Sequence, residues 1–159
     1  VHRLDMMTSG LMLLARTEQA HRHLVRQFQY RLVLKHYIGV VEGKLQESSG
    51  TIELAFRLDP DNRPHQVYDP VNGKRGITLW KTIAVESSTT RIEFTPLTGR
   101  THQLRLHASH PLGLDSPIVG DYLYGSGKDG DRLLLHSCLI SFTHPGNNRP
   151  ATFTAKAPF

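Results

Sequence analysis

The sequence predicts an α+β fold in a single domain, a mixed and largely antiparallel sheet with helices and loops on its flanks. Three observations carry that expectation. Segments rich in β-branched and aromatic residues crowd the middle of the chain, only two segments show helical spacing, and Pro, Asn and Gly gather between the strands. At 159 residues, 38% hydrophobic and 21% charged, the chain has the composition of one globular domain that can bury a real core.

Taken in order, Thr8, Ser9 and Gly10 form a turn, and Leu11-Met12-Leu13-Leu14-Ala15 after them reads as a short buried strand. Thr17 is placed to cap a helix over 18–30. There Ala20, Leu24, Val25 and Phe28 fall at helical spacing, and Arg22, Arg26 and Gln27 take the opposite face. Strands follow over 32–42, 51–58, 77–86 and 91–95, separated by loops at 59–65 and 70–76, the second shaped like a hairpin. Gly99 then turns the chain into a short helix, capped by Thr101 and packed through Leu104 and Ala108, with Arg100 pointing into the strand-to-helix corner. A Gly-rich loop at 113–130 leads to strands near 132–142 and 151–155, with no internal repeat or domain boundary.

Nineteen Lys and Arg against fourteen Asp and Glu leave a formal charge of +5, the balance of a protein that meets a polyanion. No run of about 18 consecutive apolar residues exists, so no membrane is expected as a partner. The one cysteine, Cys138, excludes an intramolecular disulfide and a Cys-rich zinc cluster. It suits a cytoplasmic location and reads as a small buried apolar residue.

No single motif decides the function. Asp5, between Arg3 and the Thr8-Ser9-Gly10 turn, is either a carboxylate facing a cleft or a turn cap paired with Arg3. Among ten histidines the closest spacings are His21 with His23, His102 with His107 and His107 with His110; none matches a metal-ligand pattern. Gly125-Ser126-Gly127-Lys128 misses the phosphate-loop spacing because Asp129 follows Lys128. Arg100, His102, Gln103, Arg105 and His107 form a dense polar run that suits either a solvated helix face or phosphate contacts.

Five motifs, taken together, strongly resemble the RluA-type RNA pseudouridine synthases. They are His2-Arg3-Leu4-Asp5 with Thr8-Ser9-Gly10, Lys35-His36-Tyr37-Ile38-Gly39, Gly99-Arg100-Thr101-His102-Gln103-Leu104-Arg105-Leu106-His107, Pro117-Ile118-Val119-Gly120-Asp121, and Leu134-Leu135-His136. Asn62-Arg63-Pro64 resembles the branch acting on both 23S ribosomal RNA and tRNA anticodon stem-loops. The resemblance implies a catalytic domain over 1–159 around a central basic cleft. It also implies that uridine becomes pseudouridine with no cofactor and no metal, in a monomer whose partner is structured RNA rather than DNA. Asp5 would be the nucleophile, Tyr37 would pack beside the flipped uracil, and Arg100 would pair with Asp5. Arg3 would fill the gap left in the RNA stack, Leu135 would floor the base pocket, and His102, Gln103 and Arg105 would contact RNA.

The chemistry explains these residue types. Breaking the C1′–N1 bond, rotating the uracil and rejoining it through C5 needs an anionic group at the sugar carbon and a pocket that keeps the base captive. A base inside a stem must first be extruded, at about a few kcal/mol, and a stacked guanidinium offsets part of that cost. The chain departs from the family pattern in starting at the HRLD motif, without the segment that usually precedes it. Two other classes remain as comparisons. An RNA-binding module without catalysis would bind RNA and form no pseudouridine, and a metal-dependent hydrolase would need His102 and His107 to converge on an ion.

Overall fold

Alternation and capping set where the elements begin and end. The computed structural model describes all 159 residues. It opens with a two-residue strand, β1 (Ser9–Gly10), and helix α1 (Glu18–Gln29). Five strands follow: β2 (Leu34–Glu42), β3 (Ser49–Leu58), β4 (Gln66–Tyr68), β5 (Lys74–Val85) and β6 (Thr89–Pro96). Helix α2 (Gln103–Ser109), β7 (Leu135–Thr143) and β8 (Pro150–Thr154) come last. The sheet order is β1-β7-β2-β6-β5-β3-β4, with β8 also paired to β7. Only β1 and β7 run parallel, so the sheet is mixed and largely antiparallel, as the sequence predicts.

Two apolar clusters hold the layers. The larger joins Val41, Ile92, Phe94, Trp80, Leu54 and Phe56 of the sheet to Leu104, Leu106 and Ala108 of α2, so the predicted packing through Leu104 and Ala108 holds. The smaller sets Leu24 of α1 on Val33, Ile140 and Phe142. Thr17 caps α1 as expected, its Oγ1 accepting from Ala20 N–H at 3.2 Å. Gln27, assigned from sequence to the polar face, is buried instead. Its amide donates to Thr143 O and accepts from Thr143 N–H, both at 2.8 Å, and so pins α1 to β7.

Helix α1 closes on Arg31, whose φ of 59° is left-handed. Arg31 N–H donates to Phe28 O at 3.2 Å and Leu32 N–H to Gln27 O at 2.9 Å, a closure in which glycine is the usual residue. An arginine there costs about 1 kcal/mol relative to glycine.

Several expectations are corrected. Residues 11–15 form no strand of their own: Leu11, Leu13 and Ala15 pack on the smaller cluster while Met12 and Leu14 face solvent. The run is apolar throughout, which hides that alternation. β4 was not foreseen, and the 70–76 loop is no hairpin, because β4 and β5 pair with opposite edges of β3. Asp69 holds that turn by accepting from Val71 and Asn72 N–H. Thr101 does not cap α2. His102 occupies the cap position at φ 55°, and Gln103 takes over the bonding work. Cys138 is half-buried, and its thiol donates to His36 O at 3.3 Å.

A bulge shapes the centre. His36 pairs with Leu139 and Tyr37 with Ser137, leaving Cys138 unpaired on β7. The extra residue shifts the alternation, so Leu135 before it and Ile140 and Phe142 after it face the same side.

His107 is fully buried on α2, edge-on to Phe56 at 5.8 Å, with no partner for either ring nitrogen. Burial is the main cause that lowers its pKa to about 4, and burial likewise lowers His2 to about 4. Unfolding returns both to the usual value near 6.5, so between those values the unfolded chain binds more protons and stability rises with pH. Urea unfolding should therefore show stability intact above pH 6.5 and lost progressively down to about pH 4. A His107→Leu variant should lose less over that interval; an unchanged slope would mean that His107 does not contribute.

Candidate active site

One cavity of about 560 Å³ gathers most of the residues singled out from the sequence. Arg3, Asp5, Tyr37, Arg100, Gln103 and Leu135 all line it, from four separate stretches of chain. A smaller pocket of about 140 Å³ shares Arg3 and Asp5 and adds His102 and Arg105. Asp5 thus stands on the wall between the two.

Local bonding sets Asp5 in place. Thr8 N–H donates to Asp5 O at 2.9 Å and closes a turn beneath the carboxylate. His2 stacks on Phe28 at 4.7 Å, and Leu13 N–H donates to His2 Nε2 at 2.9 Å, which ties both sides of the turn to α1. Ser9 then pairs with His136 across the parallel bridge, its hydroxyl 2.8 Å from His136 Nδ1. Gly10, at φ 107°, is required there: a Cβ would sit 2.3 Å from Ser137 O.

Opposite Asp5, Gln103 staples the corner between β6 and α2. Its Oε1 accepts from the Thr98 hydroxyl at 2.7 Å and Arg100 N–H at 3.0 Å, while its Nε2 donates to Ile77 O and the Thr78 hydroxyl. These four bonds hold the Gln103 side chain within the protein, on the wall of the cavity. Arg100 itself is exposed on the cavity rim, donating through Nε to Arg75 O at 3.4 Å. No ion pair within 4 Å joins it to Asp5.

Arg105 also turns inward. It is 3% exposed and grips the fully buried Asp121 bidentately, at 2.8 and 2.6 Å. Asp121 Oδ1 further accepts from Leu123 and Tyr124 N–H. Gly120 before it, at φ 78°, leaves no room for a Cβ, which would meet Arg132 O at 2.1 Å. The Tyr124 ring lies 5.3 Å from the Arg105 guanidinium. Its oxygen accepts from Gln66 N–H at 2.8 Å and lies 2.8 Å from His102 Nδ1. His102 and His107 therefore meet different surroundings and do not converge.

Electrostatics connect Asp5 to this network. Burial opposes the Arg105 charge, but the bonds and charge of Asp121, followed by the charge of Asp5, outweigh it and raise its pKa. Burial pushes Tyr124 up to about 12 and raises Tyr37, and the Asp5 charge adds to both. His102 is lowered chiefly by burial, with Asp5 opposing. Sequence reasoning missed His2, Tyr124 and the pairing of Asp121 as supports of the site. The Gly120-Asp121 motif was visible, but its partner lies 16 residues away.

Comparison with known proteins adds relatives to this geometry. A family model described as RNA pseudouridylate synthase matches residues 1–110. The dual-specificity RNA pseudouridine synthase RluA of Haemophilus influenzae is 42% identical over 162 residues, covering 99% of this chain and 73% of that protein. Its counterpart in Escherichia coli K12 is 39% identical, covering 100% of this chain and 73% of the relative. Among solved structures, human RNA pseudouridylate synthase domain containing 1 superposes with a TM-score of 0.82 at 31% identity. That match covers 99% of this chain and 68% of the human one.

The buried pair gives a direct test. Asp121→Ala leaves the Arg105 guanidinium buried and unpaired, which should lower stability by about 3–5 kcal/mol in urea denaturation. A loss below about 1 kcal/mol would show that the guanidinium reaches water without Asp121.

Proposed function

The chain belongs to the RNA pseudouridylate synthase family, and from that premise we propose that it isomerises uridine to pseudouridine in structured RNA with Asp5 as nucleophile. The observation that carries this reading is one cavity whose wall holds Arg3, Arg31, Lys35 and Arg100 against the single carboxylate of Asp5, with Tyr37 and Leu135 as apolar surfaces. Phosphates and one flipped base fit such a surface.

The uracil stacks beside Tyr37 over Leu135, and the Asp5 carboxylate meets the sugar carbon as the C1′–N1 bond breaks. The freed uracil turns within the pocket, and its C5 displaces the carboxylate from C1′ as the C1′–C5 bond forms; C5 then loses its proton and N1 takes one up, so the net change is an isomerisation. Arg3, exposed at the cavity edge, occupies the place that the base has left in the stack. Arg105, fixed by Asp121, is the buried cation that acts electrostatically on Asp5, and this leaves Arg100 free for the RNA backbone.

Two kinds of RNA substrate agree with the dual-specificity name of the relatives, and the resemblance carried by Asn62-Arg63-Pro64, of which Pro64 lines the smaller pocket, makes them 23S ribosomal RNA and tRNA anticodon stem-loops. The domain acts as a cytoplasmic monomer, with RNA and not DNA as partner. No helix of the chain is long and apolar enough to cross a membrane. The isomerisation consumes neither an electron nor a water molecule, so its balance calls for no cofactor.

Incubation with uridine-containing transcripts should yield carbodiimide-reactive pseudouridine. Asp5→Asn should keep RNA binding while turnover drops by at least about 10³-fold, the scale on which a lost nucleophile is felt. Normal turnover by that variant would remove Asp5 from the reaction. Arg3→Ala should chiefly impair extrusion of the base, seen as a weaker signal from a fluorescent base analogue at the target position. An unchanged signal would leave Arg3 without the stacking role.

A further inference from the structure

Arg31, Val33, Lys35 and Tyr37, two residues apart, all line the cavity that holds Asp5. Val33 and Tyr37 are buried, and within β2 the alternate residues Lys35 and Tyr37 share a face. At about 3.3 Å per residue, Lys35 lies roughly 7 Å from Tyr37 along the chain and Arg31 up to roughly 20 Å. Lys35 thus stands on β2 next to Tyr37, and Arg31 stands before that strand at the close of α1, both on the cavity wall.

Neither has a protein partner for its charge, since every ion pair within 4 Å involves other residues. Lys35 is half-buried, and burial lowers its pKa, yet no carboxylate is set against it. An ammonium held in that way awaits an anion from outside.

The backbone at Arg31 gives an independent indication. Its left-handed φ of 59° completes the closure of α1, where glycine would fit without strain. A non-glycine residue in that conformation points to use of its side chain. What the side chain does is place a guanidinium on the cavity wall, a group suited to bidentate phosphate contact.

We propose that Arg31 binds a backbone phosphate of the substrate RNA, on the strand that carries the target nucleotide to Asp5, with Lys35 as a second phosphate contact nearer the base pocket. This rests on the RNA-modifying reading above and adds to it the path of the bound strand.

The test measures binding of a synthetic RNA hairpin with a uridine-rich loop, across a salt series, together with thermal melting. The native chain is compared with Arg31→Gly, Arg31→Lys, Lys35→Met and Arg22→Ala; Arg22 pairs with Glu18 on exposed α1 surface away from the cavity. Arg31→Gly should melt no lower than the native chain and yet bind about threefold or more weakly. Its slope of log affinity against log salt should fall by about 0.7 to 0.9, one phosphate's share. Lys35→Met should show a similar slope change, Arg31→Lys should restore most of the affinity, and Arg22→Ala should match the native chain. Unchanged affinity and slope in Arg31→Gly would overturn the proposal, as would an equal loss in Arg22→Ala. Melting of Arg31→Gly below the native chain would overturn the claim that the arginine is kept against the backbone's preference. Because the readout is binding, a native chain that binds the hairpin without forming pseudouridine would refute the proposed reaction and leave this contact intact.

Discussion

A guanidinium cannot be buried alone, and the region around Asp5 is organised by the burial of Arg105 against Asp121. Removing both charges from water is costly, and the pair offsets that cost only because every oxygen of Asp121 is occupied. Two bonds come from Arg105 and two from the backbone at Leu123 and Tyr124. Those backbone bonds fix the loop that carries Tyr124, whose phenol in turn reaches Gln66 and His102. His65 Nε2 lies 3.2 Å from Leu123 O and brings the loop before β4 into the same assembly. One ion pair thereby aligns α2, the loop after Gly120 and the 59–65 loop beside Asp5.

The other wall depends on backbone pairing. The unpaired Cys138 on β7 lets one strand serve two purposes, with Leu135 on the cavity floor and Ile140 and Phe142 under α1 on the same side of the sheet. Without that extra residue, a strand presenting Leu135 to the cavity would turn Ile140 and Phe142 away from the helix. Gln27 then fastens the helix to the end of the same strand. The cavity is thus bounded by elements that are each needed for the core.

Much of this was legible in the sequence where local rules decide. Thr17 and the spacing of Leu24 and Phe28 mark α1 to within a residue, and the β-rich segments lie where the long strands form. What stayed hidden depends on partners distant in the chain. Gln27 looks like a surface residue until Thr143 is placed against it, and Arg100 and Arg105 look equivalent within one motif. Only Asp121 distinguishes them, drawing Arg105 inside and leaving Arg100 on the rim. Cys138 gives no sign of the bulge, because the residues on both sides of it are apolar or small.

Asp5 gains its meaning from this enclosure: a lone carboxylate among unpaired cations, with an aromatic ring and an apolar floor beside it. The most direct test of that account is the structure of the protein bound to a uridine-containing RNA hairpin. The account predicts the target nucleotide outside the helical stack, its uracil against Tyr37, its C1′ facing the Asp5 carboxylate and the Arg3 guanidinium in the gap. A target base still stacked in the RNA, or a sugar bound away from Asp5, would contradict it.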